Sequence, residues 1–390
     1  MLEQLSDIKQ SYSVAFADYV RSLEMDGRNI IKMQTGDPDF KTHNEVISSA
    51  VNAINSGETK YCDSKGLLSL RKAISNKLLS QNSIKANPFE NILVTHGAVH
   101  AISIAIRSIL NNGDECIIIE PYWRCYEASI ILSGAKPIIV EANFDSGFGL
   151  NVQKVLKKIT AKTKLIIINT PNNPSGSVYS RDELSLLAKE ASKKNIYILS
   201  DEVYESLIYD DNKHYSMASD SSVSDWIISI FSFSKTFAMT GWRIGYLVAS
   251  KFIVEELIKV SQFSITSLSP YNQIAATTAL QSKVVEDYCK IMINEYMGRR
   301  NFIINKIKNT WLEEAITIPE GAFYILIDLR NFKISSLEIA KIIVNKFGVS
   351  FTPGIAFGDN MDGHLRMCYA TSNQNIEIAL SSLLNLKSIL

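Results

Sequence analysis

Between residues 91 and 250 the chain alternates short aliphatic runs with amphipathic stretches, and that alternation leaves few folds open. The runs are ILVT (92–95), CIIIE (116–120), KPIIVEA (136–142), LIIIN (165–169), IYILSDE (196–202), WIISIFSFS (226–234) and IGYLVAS (244–250). Each has the length of one strand and is nearly unbroken in hydrophobicity, as a strand is when both faces of its sheet are covered. Between them lie helical candidates such as VHAISIAIRSIL (99–110) and RDELSLLAKEASKKN (181–195). Strands alternating with helices need crossover connections, and crossovers make a sheet mainly parallel. The expected fold class is α/β: a mainly parallel sheet with helices on both faces, plus a smaller α+β domain.

The smaller domain is expected from the last third. A helical pattern runs from about Val284 to Leu312, followed by a strand in GAFYILIDL (321–329) and a helix in SSLEIAKIIVNKF (335–347). A strand around HLRMCYA (364–370) and a closing helix from Asn373 complete it. A chain of 390 residues is too long for one core. The expected division is a large domain, 41–283, and a small domain built from 1–40 and 284–390. The sequence has no internal repeat and no Pro-rich linker, so the two are expected to pack closely.

Composition excludes more than it assigns. Lys plus Arg and Asp plus Glu both number 40, and the net charge of zero argues against a general affinity for nucleic acid or anionic membrane. The five cysteines form no CxxC pair, which speaks against a zinc site or a disulfide framework. His43, His96, His100, His214 and His364 lack metal-ligand spacing and are read as structural, so no metal is expected. No run approaches the ~18 apolar residues of a membrane span, and the first twenty residues lack a signal-peptide core. The expected location is cytoplasmic.

Ligands of open parallel sheets bind beyond the carboxyl ends of the strands. There, LIIIN runs into the turn TPNNPSG with Asn173, IYILS runs into Asp201 and Tyr204, and IISIFSFS runs into Lys235 with Arg243 eight residues on. Each residue has a plainer reading: Asn-Pro marks turns, Asp caps helices, and Lys sits on surfaces. Together they put an amide, a carboxylate, a phenol, a primary amine and a guanidinium on one rim. That set suits a phosphorylated aromatic aldehyde, namely pyridoxal 5′-phosphate. The amine forms an imine with the aldehyde, the carboxylate holds the pyridine nitrogen protonated, and a helix start such as VTHGAVHAI receives the phosphate.

With these residues the sequence resembles the class I/II aminotransferases of the fold type I pyridoxal-phosphate enzymes, the aspartate aminotransferase superfamily. The matching segments are TGDPDF (35–40), KYCDSKGLLSLRKAI (60–74), THGAVHAI (95–102), EPYWRCY (120–126), NTPNNPSG (169–176), SDEVYE (200–205), SFSKTFAMTGWRIGY (232–246) and HLRMCYA (364–370). The resemblance implies that Lys235 carries the cofactor as a Schiff base and shuttles the proton, and that Asp201 pairs with the ring nitrogen. Asn173 and Tyr204 then contact the phenolic oxygen, Trp123 stacks on the ring, and Gly97, Ala98, Val99, Ser232 and Arg243 grip the phosphate. Arg366 pairs with the substrate α-carboxylate beside Gly36 and Asn173. Tyr61 reaches the phosphate of a neighbouring subunit, which implies a homodimer.

The implied activity is transfer of an amino group between an L-amino acid and a 2-oxo acid. A lyase on the same scaffold, a carbon–sulfur β-lyase or a γ-eliminating cyclase, would share Lys235, Asp201 and Arg366. A ligand-sensing regulator of this fold would need a DNA-binding domain, and the stretch before Thr35 is too short for one. Two segments depart from the family pattern. Ala98-Val99-His100 stands where many relatives have Gln third, and His100 is read as a packed helix residue. Aspartate users place a Lys at Val99 or an Arg ahead of SPYN, but SQFSITSLSPYN (261–272) has no basic residue. The amino acid consumed is left open, with glutamate and 2-oxoglutarate as a plausible common pair.

Overall fold

A computed structural model of the chain describes Ile8, residues 11–142 and residues 147–389. In chain order its strands are β1 (Ile31–Lys32), β2 (Ile92–Thr95), β3 (Glu115–Glu120), β4 (Lys136–Glu141), β5 (Thr163–Asn169) and β6 (Tyr197–Asp201). They continue with β7 (Ile227–Ser232), β8 (Gly245–Val248), β9 (Tyr324–Asp328), β10 (Val349–Ser350), β11 (Thr352–Pro353) and β12 (His364–Cys368). All seven aliphatic runs fall in one sheet, ordered β2-β8-β7-β6-β5-β3-β4. Only β8 runs against its neighbours, β2 and β7; the pairs β3–β4, β3–β5, β5–β6 and β6–β7 are parallel.

The alternation of side chains explains why these runs are apolar throughout. Cys116 and Ile118 of β3 pack into one helical layer, with Ile102 and Ile106. Ile117 and Ile119 pack into the opposite layer, with Leu184 and Leu187. A strand sandwiched this way has no solvated face on which polar residues could alternate. The helix Arg181–Ser192 begins at a capping box, in which the Ser180 hydroxyl accepts from the Glu183 N–H at 3.3 Å and the Glu183 carboxylate accepts from the Ser180 N–H at 3.0 Å.

A second core gathers Phe16, Val20 and Leu23 of the helix Tyr12–Met25 with Ile303 and Ile307 of the helix Lys283–Ile307. The antiparallel strands β11-β12-β9 and the pair β1–β10 belong to this part of the molecule. The long helical pattern expected to Leu312 ends earlier, at Ile307. Asn309 takes a left-handed conformation (φ 60°) and the Thr310 hydroxyl donates to the Ile307 carbonyl at 2.5 Å, so the chain turns into a separate short helix, Leu312–Ala315. Among the described residues no helix is long and apolar enough to cross a membrane.

Candidate active site

The carboxyl ends of β3, β5, β6 and β7 and the start of the helix Gly97–Ile109 open onto a cavity of ≈ 360 Å³. Its other wall comes from the segment around Gln34–Asp37, Tyr324 of β9, Phe357 and Arg366 of β12. Of the residues singled out in the sequence, Gly36, Ala98, Val99, Trp123, Asn173, Asp201, Tyr204, Ser232, Lys235, Arg243 and Arg366 line it. Gly97 stands directly behind the wall. Tyr61 does not reach the cavity of its own chain and is 88% exposed.

Lys235 follows β7 on the short helix Phe233–Thr236, whose cap is the Ser232 hydroxyl accepting from the Ser234 N–H at 3.1 Å. Its Nζ donates to the Gly36 carbonyl at 2.6 Å. Burial pushes the ammonium down to about 8, against a smaller opposing pull from Asp37. An amine with that poise is available as a nucleophile near neutral pH, which an ordinary lysine is not.

Asp201 ends β6 and is only 2% exposed. Burial pushes its carboxyl up to about 6, although it accepts hydrogen bonds from the Tyr126 hydroxyl at 2.5 Å and the Val203 N–H at 3.3 Å. No cation among the described residues pairs with it. Beside it the Tyr204 and Tyr324 hydroxyls share a hydrogen bond of 2.8 Å. Asn169 anchors the following turn: its amide donates to the Asp201 carbonyl at 3.0 Å and its oxygen accepts from the Asn173 N–H at 2.9 Å.

The opposite end of the cavity is positive. Arg243, itself left-handed at φ 53°, donates through Nη1 to the Thr240 carbonyl at 2.8 Å. A Cβ on Gly97 would come within 2.7 Å of Arg243 Nη2, and Gly97 has φ +75°, so both space and backbone demand glycine here. The first turn of the helix therefore presents its N–H groups next to a guanidinium, the arrangement that favours a phosphate.

Arg366 is clamped between two rings, 4.4 Å from the centre of Tyr324 and 5.0 Å from that of Phe357. Its Nη1 donates to Asn173 Oδ1 at 2.9 Å and its Nη2 to the Gln34 carbonyl at 2.6 Å. The Nε is buried without a partner, and no carboxylate among the described residues pairs with this guanidinium. A rigid, neutrally solvated guanidinium of this kind is a carboxylate receptor.

His100 packs in the helix as expected: its Nδ1 accepts from the His96 N–H at 3.3 Å, and burial pulls it down to about 4, so it is neutral. His214 bonds Glu202 at 2.7 Å, and the neighbouring Glu205 is held by Lys77 and Asn82. Glu202, Glu205 and His214 bring ligand-type atoms together, but each carboxylate already has a cationic or histidine partner. Tyr126, Tyr324, Gln34, Asn169 and Phe357 were not singled out in the sequence. Tyr126 and Asn169 lie inside quoted motifs, while Tyr324, Gln34 and Phe357 reach the site only through tertiary packing.

The donor set fits pyridoxal phosphate on grounds internal to the chain. A buried carboxylate lacking a cation, a positive cradle lacking an anion and a lysine of lowered pKa face one cavity. Such a site on a mainly parallel sheet defines a pyridoxal-phosphate enzyme of fold type I. The "Aminotransferase class I and II" family model matches residues 28–383. The chain is 36% identical over 353 residues to an aspartate aminotransferase of Pyrococcus abyssi, covering 90% of each chain. It is 35% identical over 351 residues to an aromatic-amino-acid aminotransferase of Thermococcus litoralis, again 90% of each. The solved structure of a Thermus thermophilus aspartate aminotransferase with maleate superposes with a TM-score of 0.93 at 31% identity, over 99% of both chains. The chain belongs to the class I and II aminotransferases, enzymes that transaminate with pyridoxal 5′-phosphate.

Proposed function

We propose that this cavity moves the amino group of an L-amino acid to a 2-oxo acid, with Lys235 and Arg366 as its two poles. The observation that carries the reading is Arg366, a carboxylate receptor without a carboxylate, opening into the same cavity as the Lys235 amine, whose pKa burial lowers. When bound, pyridoxal phosphate supplies a reactive aldehyde and an electron-withdrawing ring. Lys235 would hold the aldehyde, and its Nζ would be the base that takes and returns the substrate proton. Asp201 keeps the ring nitrogen charged, which in turn satisfies a carboxylate that burial alone disfavours. Asn173 and Tyr204 bond the phenolic oxygen, and Trp123 covers the ring. Gly97, Ala98, Val99, Ser232 and Arg243 hold the phosphate, and Arg366 orients the substrate by its α-carboxylate beside Gly36.

The finer organisation is part of the same proposal. The division into 41–283 and 1–40 with 284–390 is supported by the separate core that joins the helix Tyr12–Met25 to the C-terminal elements. Homodimerisation with Tyr61 reaching a neighbour's phosphate is supported by the exposure of Tyr61 outside its own cavity. A cytoplasmic location goes with these. The relatives named above are aminotransferases, and no feature of the cavity favours the lyase alternative. The test is to add amino acids singly to the loaded enzyme without a 2-oxo acid and follow the cofactor's absorbance. At least one amino acid should convert the cofactor to its amine form; conversion by none overturns the reading.

A further inference from the structure

We infer that the substrate's side chain is read by a largely apolar annex beside this cavity, one with no free cation, built from Val14, Trp123, Cys125, Ala128 and Ile131, and that the amino acid consumed has a bulky uncharged side chain. The inference rests on the transaminase reading above. Three cations line the main cavity: Lys235, Arg243 and Arg366. Each is committed there, to the aldehyde, the phosphate and the α-carboxylate. Of its two carboxylates, Asp201 is taken up by the ring nitrogen, and Asp37 would repel a further anion. Val99, at the mouth, adds only an apolar surface.

A second cavity of ≈ 260 Å³ lies beside the first and has Ser13 and Trp123 in common with it. Besides the apolar residues named, its lining includes one cation, Arg124, and one carboxylate, Glu127. That guanidinium is already spent: Nη1 donates to Glu127 at 2.5 Å, and Nη2 donates to Asp359 at 2.6 Å and to the Ile355 carbonyl at 3.0 Å. Two carboxylates on one arginine leave no net positive charge for a third. Its Nε is buried and without a partner among the described residues, a donor for a neutral acceptor at the tip of a long side chain.

A short side chain ending in a carboxylate, as in aspartate, would therefore keep its charge inside the main cavity with no cation to meet it. An unpaired buried charge of that kind lowers affinity by roughly 100-fold or more. An aromatic, thioether or long aliphatic chain instead exchanges water for the annex walls.

The experiment follows the cofactor's conversion by single amino acids in wild-type enzyme and in Ala128→Phe, which fills the annex. Wild type should react with phenylalanine or methionine roughly 100-fold better in kcat/KM than with aspartate. Ala128→Phe should lose about tenfold or more with phenylalanine yet stay within about twofold with alanine, whose methyl does not reach the annex. Cofactor absorbance should be unchanged. Should Ala128→Phe fail to hold cofactor, Ile131→Ala decides: by enlarging the annex it should raise the tryptophan-to-alanine ratio. Aspartate reacting within about tenfold of phenylalanine overturns the inference, as does a variant that alters every amino acid alike. Failure of the transaminase reading looks different, because then no amino acid converts the cofactor.

Discussion

At the scale of single residues, the site is a set of groups held in states they would not adopt alone. Asp201 is the clearest. With its carboxyl raised to about 6, the folded chain without cofactor keeps a proton that the unfolded chain releases near 4. Between those values the unfolded state binds fewer protons, so this group's contribution to stability falls as pH rises. In the cofactor-free protein, Asp201→Asn should gain on wild type by roughly 3 kcal/mol between pH 4 and 7, measured by urea unfolding across pH. An unchanged difference would mean that the carboxyl titrates normally. Arg366 makes the second case. Arg366→Lys keeps the charge but loses the planar fork and the stacking on Tyr324 and Phe357. We expect kcat/KM to fall about 100-fold, mainly through KM, with the cofactor's spectrum intact. Wild-type KM in this variant would contradict the carboxylate role.

At the scale of elements, what matters is how the loop carrying Phe357 is fastened to the end of β3. Glu120 of β3 accepts from the Asn360 N–H at 3.1 Å and from its side-chain amide at 2.8 Å. The Tyr122 N–H donates to the Phe357 carbonyl at 2.9 Å. Gly358 lies against the Glu120 carboxylate at φ +138°, and a Cβ there would collide with it. Gly358→Ala should therefore displace Phe357 from Arg366, costing about 2–4 kcal/mol of stability and raising the amino-acid KM more than it lowers cofactor affinity. Denaturant unfolding and a KM comparison check this, and a silent substitution would show that the loop does not position Arg366. None of this was legible locally. HLRMCYA marks a strand and an arginine, but the ring on Arg366's far side comes from a loop whose seat is Glu120, more than two hundred residues earlier.

At the scale of the molecule, the open question is where Tyr61 acts. Mixing Lys235→Ala with Tyr61→Phe subunits under exchange conditions discriminates. If Tyr61 serves the neighbour, the hybrid contains one site with an intact Lys235 and an intact Tyr61, and cofactor affinity at that site should return to the wild-type value. If Tyr61 serves its own chain, no hybrid site is complete and affinity stays at the Tyr61→Phe level. Sedimentation of the loaded enzyme establishes the dimer independently.

The sequence alone determined the strands of the large sheet, because a strand covered on both faces must be apolar at every position, and such runs stand out. It also pointed to the strand-end residues, because Asp201 ends an apolar run, Asn173 and Lys235 follow closely on two others, and a parallel sheet gathers its carboxyl ends on one side. Tertiary structure decided the rest. Tyr324 and Phe357 read as ordinary apolar positions until β9 and the loop Gly354–Phe357 bring their rings to Arg366. Arg124 meets Asp359, 235 residues further on, only through the fold. Periodicity reports which side of an element is buried; which residues from distant elements meet there depends on packing, and packing set the charges that the substrate encounters.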